Sequence, residues 1–174
     1  MQMQGERVTG PVHVTEVRVR WSECDPAGIV YFANYFTYFE LGTFDYLRRR
    51  DADWRAICRR FGFVGFPRVE AFARYRAPAR FDDLLAVHTR VREVARKVIT
   101  FECHIYRQPE GTLLAEGYLK IAPTNAEGRA ALIPPALAAW LQGGPPPPEA
   151  VQAASGELGE AGPPAPPAAL PDRR

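Results

Sequence analysis

Residues 30–50, VYFANYFTYFELGTFDYLRRR, constrain the fold more than any other stretch, because their first half is apolar on nearly every side. A helix with so little polar surface is normally buried on most faces instead of lying on a surface. Arg48, Arg49 and Arg50 close the segment, where the negative end of the helix dipole favours cations. The remainder of the chain must therefore supply an apolar wrapping for one central helix.

That wrapping reads as strands. Before the helix, Val17, Val19 and Trp21 alternate with Arg18 and Arg20, the two-residue period of a strand. After it, residues 51–62 read as a polar connection holding a short helix. Four alternating runs follow. Val69, Ala71, Ala73 and Tyr75 share one face, and Leu85, Val87, Thr89 and Val91 another. Ile99, Phe101, Cys103 and Ile105 form the third set, and Leu113, Ala115, Leu119 and Ile121 the fourth. The turn Gln108-Pro109-Glu110-Gly111 predicts a hairpin between the last two runs. A short helix over about 134–141, opened by Pro134 and Pro135, ends the folded part. The expected fold is α+β, an antiparallel sheet of about five strands around one long helix. The outer sheet face is left for solvent or a partner subunit.

Length and composition set the outer limits. The 174 residues suffice for one domain with a real core. Nine of the 17 prolines fall in residues 143–174, which contain no aromatic residue. Such a segment buries too little apolar surface to offset its ordering entropy, so the expected organisation is a domain over 1–142 and a disordered tail over 143–174. Only Lys97 and Lys120 are lysines; the other 20 basic residues are arginines, with a net charge of +2. Arginine suits fixed contacts to phosphate or carboxylate, but this scattered excess argues against nucleic acid. No apolar run approaches the roughly 20 residues of a membrane span, and no signal peptide is visible. Cys24, Cys58 and Cys103 form no C-x-x-C pair, which predicts a reducing, cytoplasmic setting.

Chemistry concentrates in Trp21–Tyr35, WSECDPAGIVYFANY, between the first strand and the helix. Pro26 and Gly28 force a tight turn there, which puts Asp25 where a strand ends and a helix begins. Helix N-termini offer unpaired N–H groups that stabilise an oxyanion while a carboxylate attacks or activates water. Asp before Pro also serves as a plain turn former or cap, and the residues alone leave both roles open.

Asp25-Pro26-Ala27-Gly28-Ile29-Val30 with Phe32-Ala33-Asn34-Tyr35 resembles the signature of 4-hydroxybenzoyl-CoA thioesterases and related hotdog acyl-CoA thioesterases. The resemblance covers about residues 12–125. It implies hydrolysis of an acyl-CoA to free acid and coenzyme A, with Asp25 as nucleophile or general base. It further implies that the Phe32 backbone N–H polarises the thioester carbonyl, and that Gly28 lets the backbone turn close to substrate. No metal or organic cofactor is implied. Arg96 and Lys97, in Glu93-Val94-Ala95-Arg96-Lys97, match a basic cluster that holds nucleotide phosphates, with Ala95 where the aromatic-acyl branch carries another arginine. A solvated hairpin turn is the alternative for that segment. Tyr31 and neighbouring aromatics are candidates for the acyl pocket, and the motif leans toward an aromatic or bulky acyl group. Family members assemble as dimers or tetramers with sites at subunit interfaces, so a homotetramer is expected, with a dimer as the minimum.

Other residues carry weaker claims. Another branch uses a helix glutamate, and Glu40 occupies this helix, where it is expected to be a polar anchor or a substrate-side residue. Phe32 stands where a short-acyl branch often has histidine. Cys24 lacks a nearby histidine in sequence and reads as a small filler. His13, His88 and His104 fall on separate strands without metal-ligand spacing. The rival readings are an acyl-carrier-protein thioesterase and a non-catalytic acyl-CoA-binding module.

Overall fold

The structure, a computed structural model, describes residues 10–50 and 54–146. The tail expected over 143–174 lies outside the described residues from 147 onward. Strand β1 (His13–Arg18) leads through a single 3-10 turn (Trp21–Glu23) to helix α1 (Asn34–Arg48) and helix α2 (Trp54–Phe61). Strands β2 (Arg68–Tyr75), β3 (Leu84–Val94), β4 (Ile99–Gln108) and β5 (Thr112–Ile121) follow, then helix α3 (Pro135–Leu141). The five strands form one antiparallel sheet in the order β1-β3-β4-β5-β2, with α1 packed across it.

Side chains of α1 explain its place. Tyr35, Tyr38, Phe39, Gly42, Thr43, Tyr46 and Leu47 are buried, a stripe at the three- and four-residue spacing of one helix face. The sheet answers with Leu85, Val87, Ile105, Ala115 and Leu119 near the start of the helix. Val91, Ile99, Phe101 and Ile121 do so near its end, joined by Trp140 and Leu141 of α3. Leu41 is exposed and Phe36 and Phe44 are half-buried, so one flank of α1 stays open in the single chain.

Three local departures from the alternation pattern have physical causes. The helix starts at Asn34 instead of Val30. Val30 pairs with Cys24 in an isolated bridge and donates to the Ala79 carbonyl, and Tyr31 donates to Glu23, which holds this stretch extended. Trp21, expected inside the first strand, lies in the 3-10 turn at 76% exposure, edge-on to Phe81 at 5.5 Å. Pairing with β3 ends at Arg18, and only the Val19 backbone continues it, bonded to Asp82 and Asp83. A bulge between Ile105 and Tyr106 inserts Leu114 as an extra residue of β5, so Leu114 is fully buried where Leu113 was expected to be.

Small residues sit where α1 approaches the sheet most closely. Gly117 lies opposite Cys103 of β4 and Ala73 of β2. A Cβ there would overlap the Phe72 carbonyl oxygen and lie 2.9 Å from the Phe39 ring. Gly42 on the helix meets Thr89 and Val87 in the same way.

Candidate functional site

The segment before α1 is a small closed turn. Asp25 N–H donates to Ile29 O at 2.9 Å, Gly28 N–H to Asp25 O at 2.9 Å, and Ala27 N–H to Asp25 Oδ1 at 2.8 Å. Gly28 has φ +72°, a conformation that strains any residue with a Cβ. Asp25 thus does form the turn with one carboxylate oxygen. Its Oδ2 accepts no hydrogen bond among the described residues.

Downstream, Asn34, Tyr35 and Phe36 donate to Tyr31, Phe32 and Ala33 carbonyls, which closes the first helical turn. The N–H groups of Phe32 and Ala33 precede that turn and meet no protein acceptor among the described residues. Asp25, Tyr31 and Phe32 line one cavity of about 440 Å³ together with Tyr35, Tyr75 and Arg76. Its aromatic wall is ordered: Tyr75 Oη donates to Phe32 O at 3.1 Å, its ring stands edge-on to Tyr35 at 5.1 Å, and Tyr35 Oη accepts from Ala79 N–H at 3.0 Å. Burial raises the hydroxyl pKa of both tyrosines above the ordinary value. Arg76 brings a cation to the wall and is itself paired with Glu116.

A buried carboxylate lies directly behind this cavity. Glu23 is 6% exposed. Its Oε2 accepts from Arg20 N–H and from Tyr38 Oη, each at 2.8 Å; its Oε1 accepts from Arg20 Nε at 3.0 Å and Nη2 at 2.7 Å. Burial alone would raise the Glu23 carboxyl, but these Arg20 and Tyr38 donors hold it below the ordinary carboxylate value. Burial, and then the bond to Glu23, push the Tyr38 hydroxyl well above its own.

The structure therefore gathers Asp25, Gly28, Tyr31 and Phe32 at one end of the sheet, and leaves Arg96 and Lys97 elsewhere. Those two are exposed in the β3–β4 connection. Strand β3 begins on the Asp25 side, where Val30 bonds Ala79 and Val19 bonds Asp83. Its 11 residues carry the chain about 34 Å away at roughly 3.4 Å per residue. Glu40 is remote from the cavity and pairs with Arg68 across the flank between α1 and β2. Cys24 is half-buried, its Sγ 3.9 Å from Arg20 O. Of the three histidines, His88 and His104 pair across β3 and β4 on the outer sheet face, and His13 lies on β1. No group of three His, Cys, Asp or Glu able to hold a metal ion occurs among the described residues. No helix there is long and apolar enough to cross a membrane.

Sequence reading did not single out Tyr75, Arg76 or Glu23 for the site. Tyr75 and Arg76 are fifty residues from Asp25, and only the strand order brings them to it. Glu23 had one usable signal, a carboxylate two residues before Asp25 in an otherwise compact turn. A second hollow of about 470 Å³, lined by Phe44, Trp54, Cys58 and Phe66 among others, contains neither a carboxylate nor a histidine. The Asp25 cavity places a carboxylate with one unbonded oxygen beside helix-start N–H groups that meet no protein acceptor among the described residues.

Comparison with known proteins agrees with the architecture. A family model described as thioesterase-like superfamily matches residues 19–141. The 4-hydroxybenzoyl-CoA thioesterase of Pseudomonas sp. strain CBS-3 is 35% identical over 81 residues, which cover 46% of this chain and 57% of that enzyme. This chain thus spans little more than half the length of that relative. The acyl-CoA thioesterase YbgC of Haemophilus influenzae is 33% identical over 109 residues, 61% of this chain and 76% of the relative. Among solved structures, an aspartate-to-asparagine mutant of 4-hydroxybenzoyl-CoA thioesterase complexed with 4-hydroxybenzoyl-CoA superposes with a TM-score of 0.65 at 26% identity. That superposition covers 71% of this chain and 94% of the other. With its hotdog sheet, its central helix and a family match running from Val19 to Leu141, the chain belongs to the thioesterase-like superfamily.

Proposed function

We propose that this thioesterase-family enzyme hydrolyses an acyl-CoA, preferably one with an aromatic acyl group, through Asp25. The observation that carries the reading is one cavity lined both by Asp25, whose Oδ2 accepts no hydrogen bond among the described residues, and by Phe32 at the start of α1, whose N–H meets no protein acceptor there. The Asp25 carboxylate attacks the thioester carbonyl, or takes a proton from the water that does. The Phe32 N–H receives the charge that develops on the carbonyl oxygen. The carbon–sulfur bond then breaks, and coenzyme A leaves as the thiol once its sulfur is protonated. Water supplies the oxygen of the free acid, directly or by opening an acyl-aspartyl anhydride. Tyr31, Phe32, Tyr35 and Tyr75 suit a flat aromatic acyl group. A relative complexed with 4-hydroxybenzoyl-CoA supports the same substrate class.

The separation of Arg96 and Lys97 from Asp25 bears on assembly. If these two hold the nucleotide phosphates, they do so for the site of another copy, so the working unit is a homo-oligomer, a dimer at least and a tetramer by family resemblance. Strand β2 supports this reading: it is one edge of the sheet, and seven of its eight residues are exposed. A second copy laid antiparallel about Phe72 would set Glu70 against the partner's Arg74 and cover both edges.

The test is thiol release from a panel of aromatic and aliphatic acyl-CoAs. Preferential hydrolysis of aromatic thioesters is expected; binding without hydrolysis of any would instead make the chain an acyl-CoA-binding module. Replacing Arg96 and Lys97 together by alanine is expected to raise KM for acyl-CoA about tenfold with kcat unchanged, a loss of uniform binding worth about 1.4 kcal/mol. The matching acyl-pantetheine, which lacks the nucleotide, should show no such change.

A further inference from the structure

We propose that Glu23 is a positioning residue, which holds Asp25 and the Phe32 N–H in register from behind the cavity; this rests on the assignment of Asp25 above. The case is the way Glu23 is tied at both ends. Its carboxylate is fixed by Arg20 on the strand side and by Tyr38, one helical turn beyond Asn34, on the helix side. Its carbonyl accepts from Tyr31 N–H at 2.9 Å and from Asn34 Nδ2 at 2.8 Å. The Tyr31 carbonyl, in the same peptide plane as the Phe32 N–H, accepts from Asn34 N–H at 2.9 Å. Tyr31 and Asn34 therefore bracket the Phe32 amide, and both are bonded to one residue, which stands two positions before Asp25.

A carboxylate removed from water requires full compensation, and Glu23 has it from four donors. All four belong to Arg20 and Tyr38, and Glu23 is not among the residues that line the cavity, so the group sits in the wall and not in the cavity. A chain segment needing only an anchor could use an apolar side chain at this depth. A charged one, bonded to both limbs of the turn, fixes direction as well as position. Reacting groups misplaced by about 1 Å can lose about 10²-fold in rate.

The test is steady-state kinetics of Glu23→Ala, Glu23→Gln and Tyr38→Phe beside Asp25→Asn, each in the full chain with folding checked by circular dichroism. Glu23→Ala is expected to lower kcat about 10- to 100-fold with KM for acyl-CoA within about twofold of native, a split that a purely structural anchor would not produce in folded protein. Glu23→Gln should recover most of the loss. Its amide oxygen can keep the bonds from Arg20 N–H and Tyr38 Oη, while the Arg20 side chain, 72% exposed, turns to water. Folded Glu23→Ala with native kcat would overturn the proposal even as an inactive Asp25→Asn left the catalytic assignment standing. Full activity of Asp25→Asn would fail that assignment itself. Should Glu23→Ala not fold, Tyr38→Phe decides: a several-fold drop in kcat at native KM supports positioning, and native kcat refutes it.

Discussion

Asp25→Asn is expected to lower kcat by about 10³-fold, within the 10²–10⁴ that a positioned acid–base group contributes. Its melting temperature should stay close to native. The two effects separate because Asp25 uses its oxygens differently. Oδ1 accepts the Ala27 N–H and shapes the turn, a bond that the asparagine amide oxygen can keep. Oδ2 accepts no hydrogen bond among the described residues, and there the substitution replaces the proposed nucleophile or base by a neutral amide. Thiol release and a thermal melt on the same preparation give the result. A folded mutant with full activity would remove Asp25 from the mechanism. Glu40, on α1, would then be the next carboxylate to examine, although its pairing with Arg68 outside the cavity argues against it.

Gly117→Ala is expected to cost about 2–3 kcal/mol of stability, the upper part of the range for overpacking. The added methyl group meets the Phe72 backbone oxygen, which cannot rotate away as a side chain could, and the Phe39 ring at 2.9 Å on the other side. Relief requires β2 to move off β5 or α1 to lift from the sheet. Urea unfolding should show a lower midpoint at an unchanged slope. Gly65→Ala is the control: its new methyl group meets only Thr124 Oγ1 at 3.8 Å, and the change should stay within about 0.5 kcal/mol. Because β2 also carries Tyr75 to the cavity, Gly117→Ala should lower activity as well as stability.

The elements were legible wherever burial follows a regular period. Val87, Val91, Phe101, Ile105 and Leu119 face α1 as their alternation requires, and the central helix follows from its apolar composition. Periodicity failed where backbone hydrogen bonds outside the regular ladder decide the matter. Trp21 continues an alternating pattern, yet the chain turns at Arg20 because β3 offers no further pairing. Leu113 and Leu114 are equally apolar, and only the bulge opposite Ile105 and Tyr106 decides which is buried. The site was legible in its contiguous part, since residues 21–35 carry turn, carboxylate and helix start together. Tyr75 and Arg76 were not, because their place depends on the strand order. Glu23 was not, because burial of a charge depends on partners as distant as Tyr38.

The length of β3 has one more consequence. Groups that would handle the acyl portion lie at one end of the sheet, and the exposed basic pair that would hold the nucleotide lies at the other. Changes to Tyr31 or Tyr75 leave Arg96 and Lys97 untouched, so over generations such an enzyme can move from one acid to another while its hold on the common carrier is inherited intact. A scaffold divided in this way is suited to diverge into many enzymes that differ in what they release and share what they grip.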